Sequence, residues 1–463
     1  MNRTSPSDLG HSATLTRRTA LKLGLTGIVG SHILTSSAEA QQAGTVKWAY
    51  ETELGVQASP TVADDTLFVG DISGNLYAVD AKTGDQRWMN TYGTDYRSGF
   101  VSSPTVVDNT VFVGDDLGNV YALNADTGEE KWKFEAELGV TPSPMVVAGT
   151  VYFGDGGGNF YAVDAETGGN EWKLDSADFN EDDRAIIASP AVVNETAYIG
   201  RMDNYLYAID TKTGDIQWQF ETNSKIRSSA AVVDGTVYTA SADTKLYAVD
   251  ANSGDEQWHY ELDKYTQSSP TVANETVFIG SAGGIMYAVN AETGKQEWTF
   301  ETNKSIESSP TVAGDVVYIG SHDGKLYALD TATGDAKWAF ETGEIDNSSP
   351  TVVDGTIYIA NRGTETPGIH AIHTDVDASV IGSRTKLGTL GHTEAVQQTD
   401  QKITIQDSDD PNPNTESSSQ ELSSGNSQSN DENIPWPSLT AGVAVLGGAG
   451  YVLKRRHDSD TEK

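Results

Sequence analysis

Short runs in which apolar and polar residues alternate fill the middle of this 463-residue chain. In residues 269–300 the runs Pro-Thr-Val, Val-Phe-Ile-Gly, Met-Tyr-Ala-Val and Glu-Trp-Thr-Phe are separated by Gly, Asn or Asp residues. Alternation with a period of two residues, interrupted by turn formers, predicts β-strands joined by tight turns. The segment therefore predicts the four strands of one antiparallel sheet.

This four-strand unit recurs with a period near 40 residues. Its last strand carries a tryptophan, and consecutive copies of that tryptophan lie 40 to 46 residues apart. The eight copies are Trp48, Trp88, Trp132, Trp172, Trp218, Trp258, Trp298 and Trp338. Four strands in a repeat of about 40 residues are typical of a β-propeller blade.

The order of the strands indicates how the ring closes. The first three strands of the unit occur eight times, starting near Ser59, Ser103, Ser143, Ser189, Ser229, Ser269, Ser309 and Ser349. The strand around Trp48 precedes every complete unit, and no Trp-bearing strand follows Ile372. We therefore predict an all-β chain: an eight-bladed propeller over about residues 45–375 whose N-terminal strand closes the last blade and leaves no open edge.

The turns before the tryptophans carry a family resemblance. Residues 122–132 read Ala-Leu-Asn-Ala-Asp-Thr-Gly-Glu-Glu-Lys-Trp, and residues 208–218 and 328–338 follow the same pattern. They resemble the tryptophan-docking repeat of the pyrroloquinoline-quinone (PQQ) type, in which Asp or Asn begins the turn, Gly shapes it and Trp packs on a neighbouring blade. Seven units match, whereas the eighth, starting at Ala371, lacks both the Thr-Gly turn and the Trp.

This resemblance implies two different functions. One is a PQQ-dependent alcohol or sugar dehydrogenase, and the other is a non-catalytic scaffold of the BamB-like branch. The dehydrogenases also carry long insertions around the cofactor, a disulfide between adjacent cysteines and a calcium ion. This chain has no cysteine, and its largest insertion adds six residues to a blade. We therefore expect a non-catalytic protein-interaction scaffold with no cofactor; the quinoprotein, and a carbohydrate- or peptide-binding protein, stay as alternatives.

The N-terminal 40 residues have the layout of an export signal. Arg17 and Arg18 precede an apolar run from Leu23 to Leu34, and Ala38-Glu39-Ala40 provides small residues for cleavage. This arrangement predicts a twin-arginine signal peptide over residues 1–40.

The C-terminal region predicts a membrane anchor. After a short segment, 376–406, residues 407–433 are rich in Ser, Asn and acidic residues, which predicts a disordered tether. Residues 434–453 are uncharged and are followed by the basic cluster 454–456. Twenty helical residues cross about 30 Å of hydrocarbon, so we expect a transmembrane anchor over 434–456 and a cytoplasmic tail over 457–463. The propeller would then lie on the extracellular face of the cell membrane.

The charge of the chain limits the classes of partner that it can bind. Thirty basic and 67 acidic residues give a formal net charge of −37, which argues against nucleic acid as a partner. Molar salt would screen such repulsion, so we expect a haloarchaeal surface protein. The expected partner is an unidentified envelope protein or surface ligand, and a closed ring is expected to be a monomer.

Candidate functional residues lie in the two long connections between blades. We expect exposed aromatic and charged side chains there to form an interaction patch. The residues are Asp95, Tyr96, Arg97, Phe100, Asp178, Phe179, Asn180, Glu181, Asp182, Asp183 and Arg184. The carboxylates of the second loop are also a possible calcium site, but no EF-hand spacing is present and no metal site is predicted.

Two further sets of residues stay open. The positions just before the first strands would ring the channel mouth: Gln57, Val101, Thr141, Ile187, Arg227, Gln267, Glu307 and Asn347. Arg227 and Glu307 would make this ring asymmetric in charge. The histidines show no metal-binding spacing, and His370 and His373 are expected to be solvent-facing strand residues. No catalytic residue is predicted.

Overall fold

The structure is a computed structural model that describes residues 42–92, 99–179, 185–363, 367–374 and 376. The signal sequence, the tether and the C-terminal apolar segment lie outside the described residues and stay predictions. Within the described residues, no helix has the length and apolar character needed to cross a membrane.

The strands fall into eight groups along the chain. Strand β1 is Val46–Glu51. Blade 1 has β2 (Thr61–Ala63), β3 (Thr66–Gly70), β4 (Asn75–Asp80) and β5 (Gln86–Thr91); blade 2 has β6 (Thr105–Val107), β7 (Thr110–Gly114), β8 (Asn119–Asn124) and β9 (Glu130–Glu135). Blade 3 has β10 (Met145–Val147), β11 (Thr150–Gly154), β12 (Phe160–Asp164) and β13 (Asn170–Leu174); blade 4 has β14 (Ala191–Val193), β15 (Thr196–Gly200), β16 (Tyr205–Asp210) and β17 (Ile216–Glu221). Blade 5 has β18 (Ala231–Val233), β19 (Thr236–Ser241), β20 (Lys245–Asp250) and β21 (Glu256–Glu261); blade 6 has β22 (Thr271–Ala273), β23 (Thr276–Gly280), β24 (Ile285–Asn290) and β25 (Gln296–Glu301). Blade 7 has β26 (Thr311–Ala313), β27 (Val316–Ser321), β28 (Lys325–Asp330) and β29 (Ala336–Glu341); blade 8 has β30 (Thr351–Val353), β31 (Thr356–Asn361) and β32 (Gly368–His373). A short 3₁₀ helix, Ser176–Asp178, lies between blades 3 and 4.

Each group forms one four-stranded antiparallel sheet, and β1 completes the eighth in the order β1-β32-β31-β30. Trp48 lies opposite Ala371, and Glu51 lies opposite Gly368. The predictions of an all-β, eight-bladed propeller and of closure by the N-terminal strand are confirmed. Because the first and last strands of the fold share one sheet, the chain itself ties the ring shut.

A circle of hydrogen bonds shows the closure at the inner strands. In each blade the backbone N–H of one serine donates to the hydroxyl of the equivalent serine in the next blade, at 2.9–3.0 Å. The last of these bonds runs from Ser349 to Ser59. These are the eight serines with which the repeat units begin, and together they surround the axis of the propeller.

The burial pattern follows from the stacking of sheets around that axis. The second strand of a blade is almost wholly buried, as in Thr66–Gly70, because both of its faces are covered by neighbouring blades. The fourth strand alternates, as in Gln86–Thr91, where Trp88 is buried between exposed neighbours. The core is therefore a series of apolar layers between adjacent blades.

Each tryptophan fastens one blade to the next. The indole N–H of Trp218 donates to the carbonyl of Ala251 at 3.0 Å, and its ring lies against Gly254 in the turn of blade 5. A Cβ atom at Gly254 would be 2.8 Å from that ring, and this glycine has φ +77°. The turn therefore requires a glycine both for its backbone conformation and for the close approach of the indole.

The closing junction uses a substitute for the missing turn. Gly44, with φ +78°, lies against the ring of Trp338 and donates its N–H to the carbonyl of His373. Gly84 bonds in the same way to the carbonyl of Asp80 inside blade 1. The N-terminal segment thus supplies both the strand and the docking glycine that blade 8 lacks. In contrast to the other seven indoles, the buried Nε1 of Trp338 has no hydrogen-bond partner within the described residues.

Candidate functional site

One face of the propeller, which we call the entry face, is built from two sets of segments. The first set is the eight connections that enter the first strands, and the second is the eight loops between second and third strands. In every blade the second residue of the loop donates its N–H to a carbonyl of the entering connection, at 2.8–3.1 Å. The eight donors are Ile72, Asp116, Gly156, Met202, Ala242, Ala282, His322 and Arg362. These bonds hold the two sets together at one rim.

The two long connections do not expose their described aromatic residues as expected. Phe100 is fully buried against Gly70, in the position that Val140 and Ile186 occupy against their own glycines. Phe179 is also buried, whereas Asp178 is exposed. The expectation of exposed rings is therefore wrong for Phe100 and Phe179. The sequence held the signal, because most units have an apolar residue three positions before the serine that begins the unit.

Phe179 covers a buried arginine. The guanidinium of Arg201 is 3.9 Å from the centre of the Phe179 ring, and it forms an ion pair with Asp203, both side chains being almost fully buried. The corresponding position in blades 1 to 3 is an aspartate, as at Asp71. The Phe179 ring therefore packs on an unusual buried charge of blade 4, which gives part of this insertion a structural role.

The remaining candidates of these connections lie outside the described residues. They are Asp95, Tyr96, Arg97, Asn180, Glu181, Asp182, Asp183 and Arg184. Their proposed part in an interaction patch or a calcium site stays a prediction.

The predicted ring of entry residues is seen in the contact between Gln267 and Glu307, whereas its predicted blade 8 member is wrong. Gln267 donates to the Glu307 carboxylate of the next blade at 3.1 Å. In blade 7, Ile306 packs against a glycine and lies three positions before the serine that begins the unit. In blade 8 the equivalent residue, Ile345, packs against Gly320 and lies four positions before its serine.

This shift changes which blade 8 side chain faces the ring. Asp346 turns toward the ring and accepts a hydrogen bond from Gln57 at 2.7 Å. The predicted residue Asn347 is exposed instead. The ring position of blade 8 is therefore held by Asp346 rather than by Asn347.

A polar cluster forms where blades 7 and 8 meet at this ring. His322 Nε2 lies 3.3 Å from Asp346 Oδ1 and 3.7 Å from Glu307 Oε2. The ligand atoms of these three side chains all lie within 4.8 Å of one another, and they could hold a metal ion. Arg362 Nη1 donates to the other oxygen of Asp346 at 2.8 Å. The histidines show no metal-binding spacing along the chain, but the fold brings His322 beside two carboxylates.

The charges of the cluster act on one another. The His322 imidazole holds the pKa of Asp346 down to about 2, with help from Gln57 and Arg362. The nearby Asp346 carboxylate in turn raises the pKa of His322 above its ordinary value. Burial raises the pKa of Glu307, although the charges of His322 and Arg227 oppose this effect. At neutral pH the carboxylates of Asp346 and Glu307 can therefore lie beside a His322 imidazole that carries a proton or binds a metal ion.

The histidines of the last blade are less exposed than expected. His370 is half-buried beside the Phe340 ring, and burial lowers its pKa. His373 is also half-buried, in β32. The expectation that both face solvent is wrong, because β1 and the neighbouring blade cover much of this strand.

Exposed apolar side chains gather on the entry face. Within the described residues the large apolar side chains with high exposure are Val46, Met89, Leu117, Leu138 and Tyr265. Leu117 lies in the second–third-strand loop of blade 2, Leu138 in the connection entering blade 3, and Tyr265 in the connection entering blade 6. Leu138 is 55% exposed, and its carbonyl lies against Gly118, next to Leu117. The entry face thus offers exposed apolar side chains in the adjacent blades 2 and 3 as well as a charged cluster.

Comparison with known proteins gives a family and a fold. A family model described as outer membrane protein assembly factor BamB matches residues 36–199, 118–271 and 263–372. The structure of BamB from Moraxella catarrhalis is 20% identical with a TM-score of 0.60, and the match covers 72% of this chain and 98% of that one. No curated protein matches the sequence.

Two other solved structures share the architecture. The computationally designed protein Ika8 is 15% identical with a TM-score of 0.62, covering 72% of this chain and 100% of that one. Quinohemoprotein alcohol dehydrogenase from Comamonas testosteroni is 18% identical with a TM-score of 0.56, covering 71% and 76%. At these identities the likeness is one of fold alone.

Proposed function

The chain belongs to the family described as outer membrane protein assembly factor BamB, and from this premise we propose that it is a non-catalytic scaffold that binds another envelope protein through its entry face.

The observation that carries this proposal is the distribution of exposed apolar side chains. Three of the five large ones named above lie on the entry face: Leu117, Leu138 and Tyr265. Exposed apolar groups with a polar surround are typical of protein-binding surfaces. The cluster of Glu307 and Asp346 supplies polar groups on the same face, which favours a partner with matching charge.

The length of the connections supports binding over catalysis. In six blades nine residues separate the incoming strand from the first strand, as between Glu135 and Met145. Small-molecule sites usually enclose most of the surface of their ligand. Connections this short supply little chain to wall a quinone, whereas a rigid, low rim suits a protein surface.

We further propose that the propeller is exported and held at the extracellular face of the membrane. The paired Arg17 and Arg18 and the uncharged run 434–453 support this location. We do not transfer the outer-membrane role in the family description, because the source that we propose from the acidic composition, a halophilic archaeon, would have no such membrane. The proposed partner is therefore a protein of the cell envelope.

The test is cross-linking of the full chain in native envelopes, followed by mass spectrometry of the products. The double variant Leu117→Ser, Leu138→Ser removes two of these exposed apolar side chains without touching the core. Its matched control is Val46→Ser, Met89→Ser, which changes two exposed residues on β1 and β5, away from the entry face. We expect one envelope protein cross-linked by wild type and control, and at least about tenfold less of it with the entry-face variant.

Two results would overturn the proposal. The first is an identical set of cross-linked proteins for the entry-face variant and its control. The second is uptake of PQQ with calcium by the purified protein, followed by dye-linked oxidation of an alcohol or sugar. That outcome would assign the chain to the quinoprotein alternative.

A further inference from the structure

The polar cluster between blades 7 and 8 contains an unusual histidine. The Nε2 atom of His322 is buried and makes no hydrogen bond within the described residues. Two carboxylate oxygens nevertheless lie 3.3 and 3.7 Å away, at Asp346 and Glu307. These are ion-pair distances without hydrogen-bond geometry, so the nitrogen is oriented toward two acidic oxygens with no hydrogen bond of its own, which is unusual for a buried polar atom.

The spacing of these atoms fits a small tetrahedral ion. Zinc lies about 2.0–2.2 Å from nitrogen and oxygen ligands, so two ligands of one tetrahedral ion are about 3.3 Å apart. The contact between His322 and Asp346 has this length, and the contact between His322 and Glu307 exceeds it by a few tenths of an ångström. The carboxylate oxygens of Glu307 and Asp346 lie within 4.8 Å of each other, so side-chain rotation would be needed to bring all three atoms to bonding distance of one ion.

Other side chains already orient the two carboxylates. Gln57 and Arg362 donate to Asp346 Oδ2 at 2.7 and 2.8 Å, which leaves Oδ1 facing the histidine. Gln267 donates to Glu307 Oε2 at 3.1 Å. Hydrogen bonds that fix metal-binding carboxylates in this way are a regular feature of metal sites.

The other blades act as internal controls. The loop position of His322 is taken elsewhere by Ile72, Asp116, Gly156, Met202, Ala242, Ala282 and Arg362. Among the described residues, only blade 7 combines a histidine in the loop with an acidic entry residue, and only blade 8 shifts an aspartate, Asp346, into the ring. The cluster is therefore a local departure from the repeat and does not simply reflect the general acidity of the chain.

We propose that Glu307, His322 and Asp346 form a binding site for one divalent ion of the zinc class at the junction of blades 7 and 8. One imidazole nitrogen with two carboxylates favours Zn²⁺ over Ca²⁺ and Mg²⁺, which prefer sites made of oxygen alone. Three protein ligands leave a coordination position for water or for a group of a bound partner. The site stands independently of the proposed scaffold function.

The experiment is calorimetric titration of the metal-free full chain with Zn²⁺ alone. Molar sodium chloride and excess Mg²⁺ occupy the acidic surface, so that only a specific site responds. The test variant is His322→Asn. Its control is His259→Asn, because His259 Nδ1 also lies 2.7 Å from a carboxylate, that of Glu256, but on the exposed strand β21.

We expect one equivalent of Zn²⁺ for wild type and for H259N, with affinity at least about tenfold lower in H322N and in Asp346→Asn. Equal binding by wild type and H322N, or no Zn²⁺ signal from wild type in the presence of the excess Mg²⁺, would overturn the site. If H322N fails to fold, Co²⁺ added to wild type gives a second measurement. An intense visible spectrum of tetrahedral cobalt supports the site, and the weak spectrum of the hydrated ion contradicts it.

Discussion

The junctions between blades differ from the entry face in how strictly their residues repeat around the ring. At the junctions the same parts recur: an indole, a glycine with positive φ, and the hydrogen-bonded serines of the inner strands. On the entry face the equivalent residues of different blades have little in common, as Ile72, Gly156 and His322 show. The two regions are built from the same repeat unit, so their difference reflects what each position must do.

Packing explains why one region repeats and the other does not. A junction residue is enclosed by two blades of nearly identical shape, so the same side chain fits each time. Most entry residues are only half-buried, so they can change with less loss of packing. A chemically coherent cluster in the variable region, such as that of Glu307, His322 and Asp346, is therefore a better pointer to function than any repeated residue.

The buried ion pair of blade 4 is the hardest test of this contrast, because Arg201 departs from the repeat and yet is structural. We expect Asp203→Ala to lower the free energy of unfolding by about 3 kcal/mol or more, since it removes a carboxylate from a buried cation. Chemical denaturation measures the loss. The control is Lys82→Ala, which breaks the exposed pair with Asp65. A midpoint that moves equally little in both variants would contradict the structural role of Arg201.

The docking glycines test the repeated junctions directly. Gly254 and Gly235 both have φ +77°, but only a Cβ at Gly254 would meet an indole, that of Trp218, at 2.8 Å. Alanine is strained at both positions, so the difference between Gly254→Ala and Gly235→Ala isolates the overpacking. We expect G254A to be less stable than G235A by about 2 kcal/mol in thermal or denaturant unfolding. Equal stability of the two variants would show that the close approach is not needed.

The fold could be predicted almost completely from the sequence, because the same pattern of strands recurs in eight units. The spacing of the tryptophans defined the blades, and the unpaired strand around Trp48 defined the closure. What pattern analysis did not reveal was Gly44 as the eighth docking glycine. The residue precedes its strand by only a few positions, and its role appears only when β1 lies beside β32.

The candidate site was predicted only in part. Glu307 was identified through its place in the ring, but its partners come from a loop and from another blade, 15 and 39 residues along the chain. The shift that puts Asp346 rather than Asn347 in the ring depends on which residue packs against Gly320. Phe100 and Phe179 were expected on the surface because loop length was taken as a sign of exposure. Long loops bury apolar residues wherever the blade beneath offers space.

The closing junction allows a finer test of the indole hydrogen bond. Trp218 donates to a carbonyl, whereas the buried Nε1 of Trp338 donates no bond within the described residues. Replacement of either by phenylalanine removes similar ring area, so their difference reports the bond. We expect Trp218→Phe to cost about 1 kcal/mol more than Trp338→Phe in unfolding free energy. Equal costs would mean that the closing junction is held as the other seven are, and the reverse order would contradict the role given to the bond.

The smallest effect is expected on the entry face itself, where adjacent residues of blade 3 separate the two regions. Val140 is fully buried against Gly114, while Thr141 is a half-buried entry residue. We expect Thr141→Ala to change the free energy of unfolding by at most about 0.5 kcal/mol, against about 2 kcal/mol for the control Val140→Ala. Denaturant midpoints of the two variants provide the comparison. If Thr141→Ala cost as much as Val140→Ala, entry residues would be under the same packing constraint as the junctions. The sequence differences among the entry residues of the eight blades would then need another cause. The entry face could no longer be regarded as the region in which residues are free to change and to acquire a binding function.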